Sequence, residues 1–119
     1  MIRRSEEITV RDSVNARGGN GTVHFYDFMK SEDAPGHGRL FSKIVLPPGA
    51  SIGEHEHEGE FETFYVIEGN PTVTDNGEEV TLNPEDMHLC RNGSSHAVAN
   101  HTDTDVTMIA LILEDLAKG

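Results

Sequence analysis

Residues 54–62 carry two histidines, His55 and His57, and five glutamates. Imidazole nitrogens and carboxylate oxygens are the donors that borderline metal ions take. His55 and His57 are two apart, so on a strand they share a face, because side chains alternate with a period of two. Gly59 permits a turn after them, and Glu62 could supply a carboxylate from the next strand. A third imidazole, His96, stands far along the chain in a β-rich segment, 93–100. Three imidazoles and one carboxylate suit divalent Mn, Fe, Co, Ni or Zn. Four protein ligands on a six-coordinate ion leave two positions open, as a reactive site requires and a structural one does not. The plainer reading of the same residues is an acidic surface turn with two stray histidines.

The neighbours divide by parity. Glu54 and Glu56 alternate with the histidines and are expected to point away, and Glu58 falls in the turn. Glu60 shares the parity of Glu62, so spacing alone does not choose between them. His24, His37, His88 and His101 have no comparable register and read as surface or structural residues. Of these His88 is the nearest rival, since its strand feeds His96. Cys90 has no partner motif and reads as a small buried side chain.

These side chains need a rigid frame, and the rest of the sequence describes one. From Thr22 onward short β-rich pieces alternate with turn signals, at 22–28, 39–46, 51–57, 62–68, 72–74, 78–82, 87–90, 97–100 and 106–113. Asn76-Gly77 between two of them predicts a hairpin, because this pair tolerates the positive φ of a type I′ turn. Many short strands with regular turns mean an antiparallel sandwich or barrel. The expected organisation is a single all-β domain: an arm and loop over 1–21, the barrel over 22–113, and a tail over 114–119. Only the tail has any helical promise. Segments 61–67 and 108–113 are apolar on both faces, and in so small a domain one face would lack cover. That predicts a homodimer packed sheet on sheet.

Composition narrows the function. The 119 residues are 35% hydrophobic and 25% charged, a globular balance for one domain. The net charge of −12 argues against nucleic acid and against anionic membrane surfaces. It also means that an anionic substrate would need local positive charge from a metal or an arginine. No run approaches the roughly 18 apolar residues of a membrane span, and no apolar stretch follows Arg3 and Arg4 to make a signal peptide. The single cysteine fits a reducing compartment. A cytoplasmic protein is expected.

Arg39 opens the strand before the histidines. Its face carries Phe41, Lys43 and Val45, and the opposite face carries Leu40, Ser42, Ile44 and Leu46; either could be the inner one. Arg39 reads as a solvated strand end, or as a guanidinium that pairs with a substrate carboxylate while the metal holds the other end.

Gly49, His55, His57, Glu62 and Gly69 fit every position of a longer pattern: Gly, five residues, His-x-His, four residues, Glu, six residues, Gly. Gly93, His96 and Asn100 fit a second one. In this respect the chain resembles the cupin family. Two turn positions depart from the family's pattern, with Arg91 in place of proline and Glu85 in place of glycine. The resemblance spans roughly 22–113 and implies a double-stranded β-helix, a jelly-roll barrel, binding its ion through His55, His57, Glu62 and His96. The stretch from Arg39 to Glu62 is similar to small bacterial cupins of oxalate decarboxylase-like type. That implies manganese first, with iron, nickel or zinc as alternatives, and a small carboxylate such as oxalate as ligand. Decarboxylation or dioxygenation is then one expectation. The others are metal-dependent isomerisation, a ligand-binding or sensing module without turnover, and a metal that only ties strands together. Decarboxylation would also need a general acid, for which Glu32 and Asp33 in the loop 30–38 are the candidates.

Overall fold

The computed structural model describes residues 1–117. Ten strands follow in order: β1 (Thr9–Val14), β2 (Thr22–Met29), β3 (Gly38–Leu46), β4 (Ser51–Glu56), β5 (Glu60–Glu68), β6 (Thr72–Asp75), β7 (Glu78–Thr81), β8 (Met87–Cys90), β9 (Ser95–Ala99) and β10 (Val106–Glu114). They form a six-stranded sheet, β1-β2-β3-β10-β5-β8, facing a four-stranded one, β4-β9-β6-β7. Every pairing is antiparallel. This is the all-β single-domain architecture that the strand spacing predicts.

Period-two patterning builds the core. In β10, Val106, Met108, Ala110 and Ile112 are buried while Thr107, Ile109, Leu111 and Leu113 face outward. In β5, Glu62, Phe64 and Val66 point in, while Tyr65 and Ile67 stand 42% and 50% exposed. Val73 and Val98 close the core from the smaller sheet. Fully buried Phe64, Ile44, Leu46 and Met108 each contribute about 1.5–3 kcal/mol. The inner face of β3 is the one with Ser42, Ile44 and Leu46, so Arg39 has the outward parity.

Turn chemistry sets the register. Pro48 and Gly49 occupy the central positions of a turn closed by Ala50 N–H on Pro47 O at 3.0 Å, with Gly49 at φ +81° as a type II turn demands. The expected hairpin joins β6 to β7, with Asn76 at φ +48° and Gly77 at φ +88°. Glu85, standing where the motif has glycine, keeps the glycine conformation at φ +76°, which costs about 1–2 kcal/mol for a residue with a Cβ. The turn lacking its proline closes through Ser94 N–H on Arg91 O at 3.0 Å, with Gly93 at φ +86°.

Two stretches differ from the sequence reading. The arm expected over 1–21 contains β1, which pairs along its whole length with β2. Five of its six residues are exposed, so it carries no alternation to read. At the other end Glu114 still belongs to β10, and residues 115–117 form no helix. Positions 118–119 of the expected tail lie outside the described residues.

Asn100, the last residue of the second motif, is buried and works as a staple. Its Nδ2 donates to Leu46 O at 2.8 Å and Thr104 O at 2.7 Å, and its Oδ1 accepts from Thr102 N–H and the Thr102 hydroxyl. Replacing it with alanine leaves buried carbonyls unpaired, at about 1–3 kcal/mol for each group so stranded. Asn100→Ala should therefore lose about 2–4 kcal/mol in urea unfolding; a loss within error of zero would remove its structural role.

Candidate metal centre

The site lies between the sheets. β4 presents His55, the residue just past β4 is His57, β9 presents His96, and β5 brings Glu62 from the opposite sheet. His55 and His96 are direct cross-strand partners. His57 is held beyond the strand end by two backbone bonds, its N–H to Ser94 O at 3.2 Å and its O from Gly93 N–H at 2.7 Å. Asn92 Oδ1 accepts from Gly59 N–H at 2.8 Å. The turns of the two histidine motifs are thus docked on each other.

The donor atoms converge. One ligand atom from each of His55, His57, Glu62 and His96 lies within 4.8 Å of all the others. Glu62 Oε1 is 3.1 Å from His57 Nε2 and 3.0 Å from His96 Nε2. His96 Nε2 is 3.0 Å from His57 Nε2 and 3.2 Å from His55 Nε2, while His55 Nε2 and Glu62 Oε1 are 4.0 Å apart. At about 2.1 Å from an ion, donors at right angles lie about 3.0 Å apart and opposed donors about 4.2 Å. Both separations occur here, so the residues present fit a six-coordinate divalent ion.

The outer nitrogens fix which lone pairs point inward. His55 Nδ1 meets Gly53 O at 2.8 Å, and a carbonyl only accepts, so Nδ1 carries the hydrogen and Nε2 is free to ligate. His57 Nδ1 donates to Glu60 Oε1 at 3.0 Å. Glu60 in turn accepts Arg39 Nε at 2.9 Å and Nη2 at 2.9 Å, a bidentate pair. His96 Nδ1 meets His88 Nε2 at 3.2 Å. Burial lowers His88 from the ordinary imidazole value, which favours its neutral form, the one able to accept. Carboxylate or carbonyl partners on the far nitrogen are how metal-bound imidazoles are usually oriented; here a histidine fills that place for His96. Phe64 stacks on His96 with ring centroids 5.2 Å apart and planes 12° off parallel.

A match to the Cupin domain family model covers residues 42–112. The chain belongs to the cupin family. An oxalate-binding protein of Thermotoga maritima is 39% identical over 113 residues, spanning 95% of this cupin and 93% of that protein. A crystal structure from the same organism, described as a predicted oxalate decarboxylase, superposes with a TM-score of 0.91 at 38% identity, covering 97% of this chain and 100% of that one. Quercetin 2,3-dioxygenase of Bacillus subtilis is 45% identical over 47 residues, which are 39% of this cupin and 14% of that enzyme.

Above the donors opens a cavity of about 630 Å³, with His55, His57 and Glu62 at its base. Its walls include Phe25, Leu40, Ile44 and Ile52, and its cationic lining is Arg11, Arg17, Lys30 and Arg39. Arg39 reaches it despite its outward parity, with its guanidinium bound by Glu60 rather than standing free. Glu54 and Glu56 are exposed, as alternation predicts, and so is Glu58 in the turn. His24 pairs with Asp12 on the surface. Glu32 and Asp33 are not among the lining residues, and Asp33 is engaged by Arg3. Sequence reasoning did not find the roles of Glu60 and His88 beside the donors. It also missed Arg11, Arg17 and Lys30, which come from segments with no pattern pointing at a site.

Electrostatics match the geometry. Burial pushes the Glu62 carboxyl up, but hydrogen bonds from His57 and His96 overcome it and hold the group at about 2. Burial lowers His55. The hydrogen bond to Glu62 raises His57 against the burial that opposes it. With no ion present, His57 therefore keeps a proton at pH values where a free imidazole loses it, and metal binding has to release that proton. Affinity should then rise with pH through the His57 titration and fall below it. Adding Mn²⁺ to metal-free protein should release more protons per ion at pH 6.5 than at pH 8.5; equal release at both would contradict this account.

Proposed function

We propose that this cupin binds a divalent ion, manganese first among iron, nickel and zinc, through His55, His57, Glu62 and His96, and uses it to hold a small carboxylate such as oxalate. The convergence of those four donors carries the reading. Four protein donors on a six-coordinate ion would leave two positions for a guest. A small dicarboxylate could fill them with one oxygen from each carboxylate. The name of the Thermotoga maritima relative, an oxalate-binding protein, supports the same class of ligand. When bound, the ion supplies charge neutralisation and polarises the guest. The chain's own part is to fix three imidazoles in one tautomer, keep water from the apolar walls, and offset the guest's charge with the cationic lining.

Binding is favoured over decarboxylation by the state of the acids. Glu62 and Asp27 are the carboxyls among the described lining residues. Burial raises Asp27, but hydrogen bonds from Arg11 and Ser42 outweigh it and hold the group below the ordinary carboxylate range. Neither is a proton donor at neutral pH, and protonating a nascent carbanion needs one. Arg39 serves first to hold Glu60 against His57, and a contact with the guest comes second.

Oxalate at 100 times its Kd should stabilise the Mn²⁺-loaded protein by about 2.7 kcal/mol, on the order of 10 °C in Tm for a domain of this size. Chelation by EDTA, or the pair His57→Ala and His96→Ala, should abolish that shift. A shift that survives either treatment places oxalate elsewhere. Carbon dioxide release or oxygen uptake with oxalate would turn the reading from binding to turnover.

The oligomeric reading is a homodimer through the outer face of the six-stranded sheet. Tyr65, Ile67 and Met87 stand 42%, 50% and 56% exposed there, beside Ile109 and Leu111, an apolar surface of the kind partners cover. Sedimentation at micromolar concentration should give twice the chain mass, and Tyr65→Lys with Ile67→Glu should halve it. A monomeric parent protein ends this part of the proposal.

A further inference from the structure

Four of the chain's nine lysines and arginines line the cavity that reaches the donor cluster, in a protein of net charge −12. They are not equivalent. Arg11 is paired with Asp27 and Arg39 with Glu60, whereas the side chains of Arg17 and Lys30 have no ion-pair partner among the described residues. Both are exposed as well as lining the cavity; Lys30 shares its field with Asp33, and Arg17 is left without a close acidic partner among the described residues.

Arg17 is also placed at a cost. Asn15 and Arg17 both have φ +52°, a left-handed backbone that residues with a Cβ avoid. The loop is held in this form by backbone-to-backbone packing on β4. A Cβ on Gly53 would overlap the carbonyl oxygen of Arg17, and one on Gly19 would overlap the carbonyl of Ser51. Gly53 is the residue whose own carbonyl orients His55. It lies two residues before His55, roughly 7 Å along a strand. Strained backbone maintained by its surroundings is a mark of a functional position, and here it roots a cation beside the metal centre's own scaffold.

The volume points the same way. Oxalate, with six heavy atoms, displaces little more than two or three waters of about 30 Å³ each. The cavity measures about 630 Å³, inside the roughly 300–1,000 Å³ of sites for larger small molecules. A guest that fills it must carry on from the buried donors toward solvent, and Arg17 and Lys30 are exposed residues of the lining.

We infer that the mouth of the cavity is a second anion site, formed by Arg17 and Lys30, and that the ligand it selects is a 2-oxo dicarboxylate. This rests on the metal–carboxylate reading above. The adjacent oxo and carboxylate oxygens of such an acid chelate an ion as oxalate does. Its far carboxylate, several bonds away, reaches the guanidinium and the ammonium. Oxalate then represents only the head of the ligand, and the rim supplies the specificity.

The test is calorimetric titration of Mn²⁺-loaded protein with oxalate, with 2-oxoglutarate, and with 2-oxopentanoate, which keeps the head and chain length but has no far charge. The dianion should bind at least tenfold more tightly than the monoanion. Arg17→Asn, which keeps a residue tolerant of left-handed backbone, and Lys30→Gln should each reduce that ratio several-fold. Raising the salt concentration should reduce it in the parent protein too. Equal affinity of the two oxo acids alongside intact oxalate binding, or a ratio unchanged in both variants, overturns the rim site alone. Failure of all three acids to bind the metal-loaded protein overturns the metal–carboxylate reading as well.

Discussion

Three imidazole nitrogens and one carboxylate oxygen, 3.0–3.2 Å from their neighbours across a mostly buried space, repel one another unless a cation lies between them. Coulomb forces inside a protein are several times stronger than in water, so this crowding is a constraint on the whole fold. In the metal-free chain a proton shared between His57 and Glu62 relieves it in part, which is why the two groups titrate in opposite directions from their ordinary values. A divalent ion held by all four would relieve it more fully. The donors come from both sheets, so a charge that satisfied them would also join the two halves of the sandwich.

The supporting structure keeps those donors from relaxing apart. Gly53 O, Glu60 and His88 each take the outer nitrogen of one imidazole, so no ring can flip without losing a hydrogen bond. Behind Glu60 stands Arg39, and behind His96 the Phe64 ring. The docking of Gly59 on Asn92 and the backbone pairing of His57 with residues 93–94 join the turns that carry the donors. Rigidity of this kind is needed if binding energy is to go into a guest rather than into ordering the site.

Much of this was legible in the sequence because the physics is local. Parity puts His55 and His57 on one face, and Asn76-Gly77 has few conformations other than the one found. Strand bounds fell within two residues of their expected places for the same reason: period-two patterning survives wherever one face is buried. Where that condition fails, so does legibility. β1 is exposed on both faces and lies flat along β2, so its residues had no reason to alternate. Glu60 and Glu62 share a parity and are both used, one on each side of His57, a division that only the third dimension assigns. Glu85 kept the shape of the glycine it replaces, so the residue type was informative about the family but misleading about the backbone.

The cationic lining of the cavity has a consequence for the order of events. A net charge of −12 draws divalent ions toward the protein as a whole, yet Arg11, Arg17, Lys30 and Arg39 line the approach through the cavity. Arg11 and Arg39 are offset by Asp27 and Glu60, so it is Arg17 and Lys30 that would repel an incoming ion and attract an anionic guest. On the proposed reading, loading of the ion would be the slower event, and anionic guests would exchange over an ion already in place. A guest seated on the ion would stand between it and solvent, so the lining that draws anions in would also hinder escape of the metal.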